Sequence, residues 1–219
     1  MQFESYFLFW FIVVLLPLAL APIFLMFLEK KKRRETMQQV YSWLKEKSKK
    51  LYIDNVRSDN PRIVAELNPE WLLDRVEITT FSIGAFTSPG RAIFFFFPRS
   101  YLKISGMKKV KSPIRLAIGG RGPMASTIYW SHFKQDFKTG DLAFDRRFYV
   151  KGEGSDDIPR ILSDEEFRKH ISGIYDLIKF EVRGNEHVSF VVECYLDVKS
   201  FENSILAMKR VLEILSETN

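Results

Sequence analysis

The chain has 219 residues, of which 46% are hydrophobic, 27% charged and 15% aromatic. It is too apolar for a disordered chain, too poor in glycine and proline for a collagen-like one, and its single cysteine excludes a disulfide scaffold. A net charge of +6 spread over a fold would suggest nucleic acid, so where that charge lies decides what it means.

Residues 5–28 carry no acidic or basic side chain. As a helix rising about 1.5 Å per residue they would extend roughly 36 Å, more than the ~30 Å hydrocarbon core of a bilayer. The expectation is a transmembrane anchor over 1–28, with Tyr6 and Trp10 near one interface and Pro17 and Pro22 as tolerated helix defects. Ala19-Leu20-Ala21 has the small-x-small form of a signal cleavage site. Against cleavage stand Glu4 in the leading flank, an apolar run longer than a signal core, and Pro22 just after the cut. Lys30, Lys31, Lys32, Arg33 and Arg34 follow the span at once, whereas residues 1–4 hold no cation. The positive-inside rule therefore places the N-terminus outside and the C-terminal domain in the cytoplasm, at the cell membrane.

Residues 29–50 contain nine basic and three acidic residues, which equals the excess of the whole chain, and the remainder is nearly neutral. A cationic cluster beside a span has anionic lipid headgroups as its nearest target, at about 1 kcal/mol per Lys or Arg. Lys30 to Arg34 are thus the candidate lipid-contacting and topology residues. Met37, Val40, Tyr41, Leu44 and Leu51 keep helical spacing, compatible with a basic amphipathic helix on the membrane or a solvated linker helix over 29–50.

Residues 51–219 read as a soluble α+β domain. A polar connector over 54–70 is punctuated by Asn60-Pro61 and Asn68-Pro69. Strand-like runs follow at 76–86, 92–97, 101–104, 114–118 and 126–133, separated by Pro- and Gly-containing loops. Phe94 to Phe97 would put aromatic rings on both faces of one strand, which suits a central, doubly covered position. No acidic residue lies between Glu77 and Asp136, a stretch holding nine cations from Arg91 to Lys134. Two arrangements satisfy this: interleaving with acidic strands from elsewhere, or a single basic face.

Further along, Phe144, Phe148 and Val150 read as strand residues entering the core. Ser163 with Glu166 forms an S-x-x-E capping box ahead of an apolar stripe at Phe167, Ile171, Ile174 and Leu177. A hairpin is expected from 178–182 and 187–196 with Gly184-Asn185 in its turn. Ser200 is the expected N-cap of a terminal helix with Phe201, Ile205, Met208, Leu212 and Leu215 on one face. Cys194 falls in a period-2 apolar pattern and reads as a buried structural thiol. Strands followed by segregated helices give an α+β class with a mostly antiparallel sheet.

The residues with chemical potential form no recognisable motif. His132, His170 and His187 lack metal-ligand spacing, and no G-x-S-x-G elbow is present. Gly119-Gly120-Arg121-Gly122 reads as a tight turn between strands, and Asp164-Glu165-Glu166 as a favourable first helical turn. No metal and no cofactor is expected.

The run Phe144-Asp145-Arg146-Arg147-Phe148-Tyr149-Val150, then Asp156-Asp157 and Ile161-Leu162-Ser163, resembles a pattern in a family of prokaryotic membrane-anchored proteins. There F-x-x-x-F-x-V leads through an acidic turn into a capped helix and a hairpin, which covers 144–196 here. The resemblance implies a membrane anchor and, since the family has no assigned activity, transfers no catalytic residue. The expectation is a single-pass membrane protein whose cytoplasmic domain is an interaction module for membrane lipids or a protein partner at the membrane. The alternative is a membrane-tethered hydrolase with a site assembled from separated loops, and nucleic acid is the least favoured partner.

Overall fold

The computed structural model describes residues 16–54, 61–83, 99–121, 137–153 and 155–217, with Phe9 and Val13. Helix α1 (Leu16–Lys47) runs unbroken through Pro17, Pro22 and the basic cluster, and strand β1 (Ser48–Asp54) begins at the next residue. Within it Met37, Val40 and Leu44, spaced three and four apart, are at most 5% exposed. Burying side chains of this size contributes about 1.5–3 kcal/mol each, so the second half of α1 is part of the core. Trp43 locks it there, edge-on to Trp71 at 5.0 Å and to Phe201 at 5.2 Å. Leu51, expected on the same helical stripe, belongs to β1 instead.

Eight strands form one antiparallel sheet in the order β1-β2-β3-β4-β8-β7-β5-β6. Its members are β1, β2 (Arg62–Leu67), β3 (Arg75–Ile83), β4 (Arg99–Lys108), β5 (Arg115–Gly120), β6 (Phe148–Glu153), β7 (Lys179–Gly184) and β8 (Val188–Tyr195). Helices α2 (Leu142–Arg147), α3 (Asp157–Ser163), α4 (Glu165–Gly173) and α5 (Val198–Ser216) complete the fold. The α+β class and antiparallel sheet agree with the sequence reading.

Period-2 burial divides the sheet into two faces. Ile63, Ala65, Val76, Ile78, Leu102, Ile104, Leu116, Ile118, Phe180, Val182, Phe190, Val192 and Cys194 are buried on the face toward the helices. Contact there is close: a Cβ on Gly106 would sit 2.9 Å from Met208 Sδ of α5. The opposite face carries charges in register, with Lys103 between Thr79 and Glu193, and Arg115 between Arg183 and Glu153. Lys108 pairs with Asp74 at 3.0 Å. Of the described cations of the acid-free stretch, Lys103 and Arg115 thus share this face, each with a glutamate, Glu193 or Glu153, as a register neighbour, and Lys108 is bonded to Asp74.

Several expectations are corrected. The 54–70 connector contains β2, whose Ile63, Ala65 and Leu67 point inward. Phe144 is buried, but in α2 and not in a strand. The cap of α4 is Asp164, whose Oδ1 accepts the Phe167 amide at 2.7 Å, while the Ser163 hydroxyl donates to the Arg160 carbonyl at the end of α3. Ile174 and Leu177 are buried beyond the end of α4. Asp197, not Ser200, caps α5. Gly119 and Gly120 lie inside β5 rather than in a turn. The β7–β8 hairpin forms as expected, but Gly184 pairs with Val188 as the last residue of β7 and the turn is made by residues 185–187. The segments 92–97 and 126–133, with the phenylalanine quartet, lie outside the described residues.

Among the described residues no helix is long and apolar enough to cross a membrane. The apolar part of α1 before Glu29 covers thirteen described residues, roughly 20 Å of helix, and most of 5–15 lies outside the description.

Candidate functional site

The basic cluster after the apolar segment divides by helical geometry into two sets. Lys32 and Arg33 turn toward the sheet. Lys32 Nζ donates to the Tyr195 hydroxyl at 2.6 Å and lies 4.5 Å from the centre of its ring. Arg33 Nη2 donates to Ser82 Oγ at 2.6 Å and Ser100 Oγ at 2.8 Å, and its Nε reaches Ser100 Oγ at 3.1 Å. One turn earlier, Glu29 Oε1 accepts the Ser100 amide at 2.8 Å. Ser82 and Ser100 are register partners, so the helix grips the ends of two adjacent strands. Ser100 is fully buried and needs these partners, because an unpaired buried donor costs about 1–3 kcal/mol.

An aromatic row backs this clasp. Phe81 stacks on Tyr101 at 5.7 Å, Tyr101 meets Tyr195 edge-on at 6.1 Å, and Tyr195 meets Tyr175 edge-on at 5.5 Å. The Tyr101 hydroxyl donates to Asp176, a residue with φ of 46°. Such a left-handed backbone is uncommon outside glycine and is tolerated by Asp.

Lys30, Lys31 and Arg34 are exposed on the other side of the helix, where with Glu35 they surround Phe27, and Lys31 lies 4.0 Å from Glu35. The predicted cluster thus performs two tasks: two members fasten the helix to the sheet and three face outward. The sequence marked the cations but not their partners, since Ser82, Ser100 and Tyr195 lie 49 to 163 residues away.

The other candidates are not drawn into one site. Cys194 is fully buried, and burial pushes its thiol up to about 12, which makes it structural. His170 Nδ1 lies 3.3 Å from Asn203 Oδ1, and its Nε2 is 3.7 Å from Glu166. The exposed His187 lines a groove of about 520 Å³ with Arg115, Lys151, Glu181, Arg183 and Ser189, yet the Ser189 hydroxyl donates to the Arg183 carbonyl. Neither histidine is bonded to a nucleophile, and His132 lies outside the described residues. Arg121 stacks on Tyr149 with its guanidinium carbon 3.9 Å from the ring centre.

The acidic helix start is explained by Asp164, which accepts Arg210 Nη2 at 2.7 Å and Nε at 3.2 Å. The Arg210 guanidinium holds the Asp164 carboxyl below the usual range despite partial burial. Among the described residues no group of His, Cys, Asp and Glu could hold a metal ion.

No protein-family model matches the chain, and no curated protein is significantly similar to it.

Proposed function

We propose that this chain is a single-pass membrane protein whose α+β domain is held at the cytoplasmic surface and acts there as an interaction module for the lipid surface or a protein partner. The observation that carries this reading is the distribution of exposed apolar groups. Within nine residues of α1, Leu20, Ile23, Phe24, Met26, Phe27 and Leu28 are 41–66% exposed. Beyond Lys47 the described large apolar side chains left open are Tyr52, Ile53, Leu142 and Tyr175, which are scattered. A contiguous apolar helix wall requires a cover. Lipid is the cover that the adjoining cations favour, because Lys30, Lys31 and Arg34 then sit at headgroup level and resist translocation. Residues 5–15 extend the apolar run to a length sufficient to cross.

The test is carbonate extraction of membranes from cells making the full chain, followed by protease treatment of sealed cells. The chain is expected to remain in the membrane fraction, with the carboxy-terminal domain protected from external protease. Release by carbonate, or digestion from outside, overturns the reading.

A further inference from the structure

The clasp fixes not only where the helix meets the domain but which edge of the sheet faces the bilayer. Helix α1 bonds the ends of β3, β4 and β8 through Glu29, Lys32 and Arg33. From there it runs along the sheet to Lys47, whose carbonyl accepts the Asn68 amide beyond the far end of β2. The membrane side of α1 therefore lies past the row holding Ser82, Ser100 and Tyr195.

Register carries that row across the sheet. Tyr101 pairs with Tyr195 and Lys179 with Glu193, while Gly119 pairs with both Lys179 and Tyr149. Two residues on from Gly119, the Arg121 amide donates to the Arg147 carbonyl at 2.8 Å. Arg121 and Arg147 thus occupy the same edge as the clasp. Arg147, just before β6, is four strand spacings from β4, roughly 19 Å at about 4.8 Å each, and Arg121, just after β5, is three.

Arg121, Arg146 and Arg147 are all exposed there. Arg147 spends one Nη2 hydrogen on the Ser172 carbonyl, and its guanidinium lies 5.2 Å from the Phe148 ring centre. Among the described residues neither Arg146 nor Arg147 forms an ion pair. The nearest acids in sequence are engaged elsewhere: Asp145 accepts from Thr139, and Asp141 caps α2.

We propose that this edge is a second membrane contact, in which Arg146 and Arg147, with Arg121, dock on anionic phospholipid headgroups. It rests on the reading of α1 as an anchor. The clasp joins helix and domain into one body, and one cationic group at the helix would still let that body swing about the helix axis in the bilayer. A second, about 19 Å away, gives a two-point stance that stops the swing and sets the orientation of the sheet. Anionic lipid is the partner because the edge faces the surface to which the helix delivers it, and because guanidinium pairs bidentately with phosphate.

The test uses the full chain in lipid nanodiscs, with a polarity-sensitive fluorophore on Lys138→Cys just before α2; the buried Cys194 leaves the label single. A blue shift is expected in discs with 30% phosphatidylglycerol and not in pure phosphatidylcholine, and it should fade as salt is raised. Arg146→Glu with Arg147→Glu should lower the docked-to-free ratio about 30-fold or more, from roughly fivefold per cation lost. Arg146→Glu alone, at a residue whose side chain bonds no other described residue, should lower it at least fivefold and covers the case in which the double variant is unstable. Lys111→Glu, the same charge change at the opposite end of the sheet, should leave the shift intact. A chain that stays in the disc while its fluorescence ignores lipid charge, or responds equally to Lys111→Glu, overturns the docking edge alone. A chain that leaves the disc overturns the anchor and the docking edge together.

Discussion

Arg33 and Ser100 join the first helix to the centre of the sheet: one guanidinium reaches the Ser100 hydroxyl from both Nη2 and Nε, at 2.8 and 3.1 Å. The same Nη2 also bonds Ser82, the register partner of Ser100. A fork of this shape cannot be reproduced by an ammonium.

Arg33→Ala should therefore destabilise the purified chain by about 1–2 kcal/mol, with Arg33→Lys recovering less than half. Arg34→Ala, on the outward side, should change stability by less than about 0.5 kcal/mol. Urea unfolding of the three variants checks the contrast, and equal effects would contradict the division of the cluster.

Asp164 supplies a pH dependence. Its folded-state carboxyl is held below the ordinary value by Arg210 and by the Phe167 amide, so the stabilisation is fully present above the unfolded value of about 3.9. It is lost as the pH falls through the lower folded value. At Asp74 burial pushes the carboxyl up, but the Lys109 amide and Lys108 outweigh it and add to the same acid limb. Asp164→Asn keeps a capping oxygen and loses the ion pair, so it should shallow the fall in stability below about pH 4 without removing it. Chemical denaturation at pH 3 to 7 measures this.

The Cys194 thiol, pushed up to about 12 by burial and contacting Ser204, should resist labelling. Folded protein at pH 8 is expected to take up a maleimide at least 100-fold more slowly than protein in denaturant. Comparable rates would place the thiol near the surface.

Gly184 ends β7 directly beneath the Ser112 carbonyl, within contact range of any Cβ built there, and its amide donates to the Ile114 carbonyl. Backbone cannot turn aside as a side chain can. Gly184→Ala should cost about 1–3 kcal/mol by forcing the segment before β5 away from the hairpin. A melting temperature within one degree of the parent would refute this.

Legibility from the sequence followed the range of the forces involved. The β7–β8 hairpin and the apolar faces of α4 and α5 were readable because their signals recur every two to four residues. β2 was obscured because its six residues lie among turn-forming Asn and Pro and present only Ile63, Ala65 and Leu67 to the core. The caps slipped by one to three positions because Asp and Ser compete for the same amides, and Asp164 gains Arg210 from another helix. Leu51 keeps helical phase with Leu44, although the chain has already turned into β1. In the candidate site, the five cations stood out as a run. That two of them bond serines and a tyrosine of the sheet is a tertiary fact, set by register between segments distant in the chain.

The earliest-made part of the core rests on the latest-made. Trp43 and its neighbours in α1 are roofed by α5, so a chain still under synthesis keeps a greasy stripe uncovered until its last helix has emerged. Ribosome-stalled intermediates ending before residue 198 should accordingly be the species that chaperones hold and proteases cut, and completion should come as one late, abrupt closure.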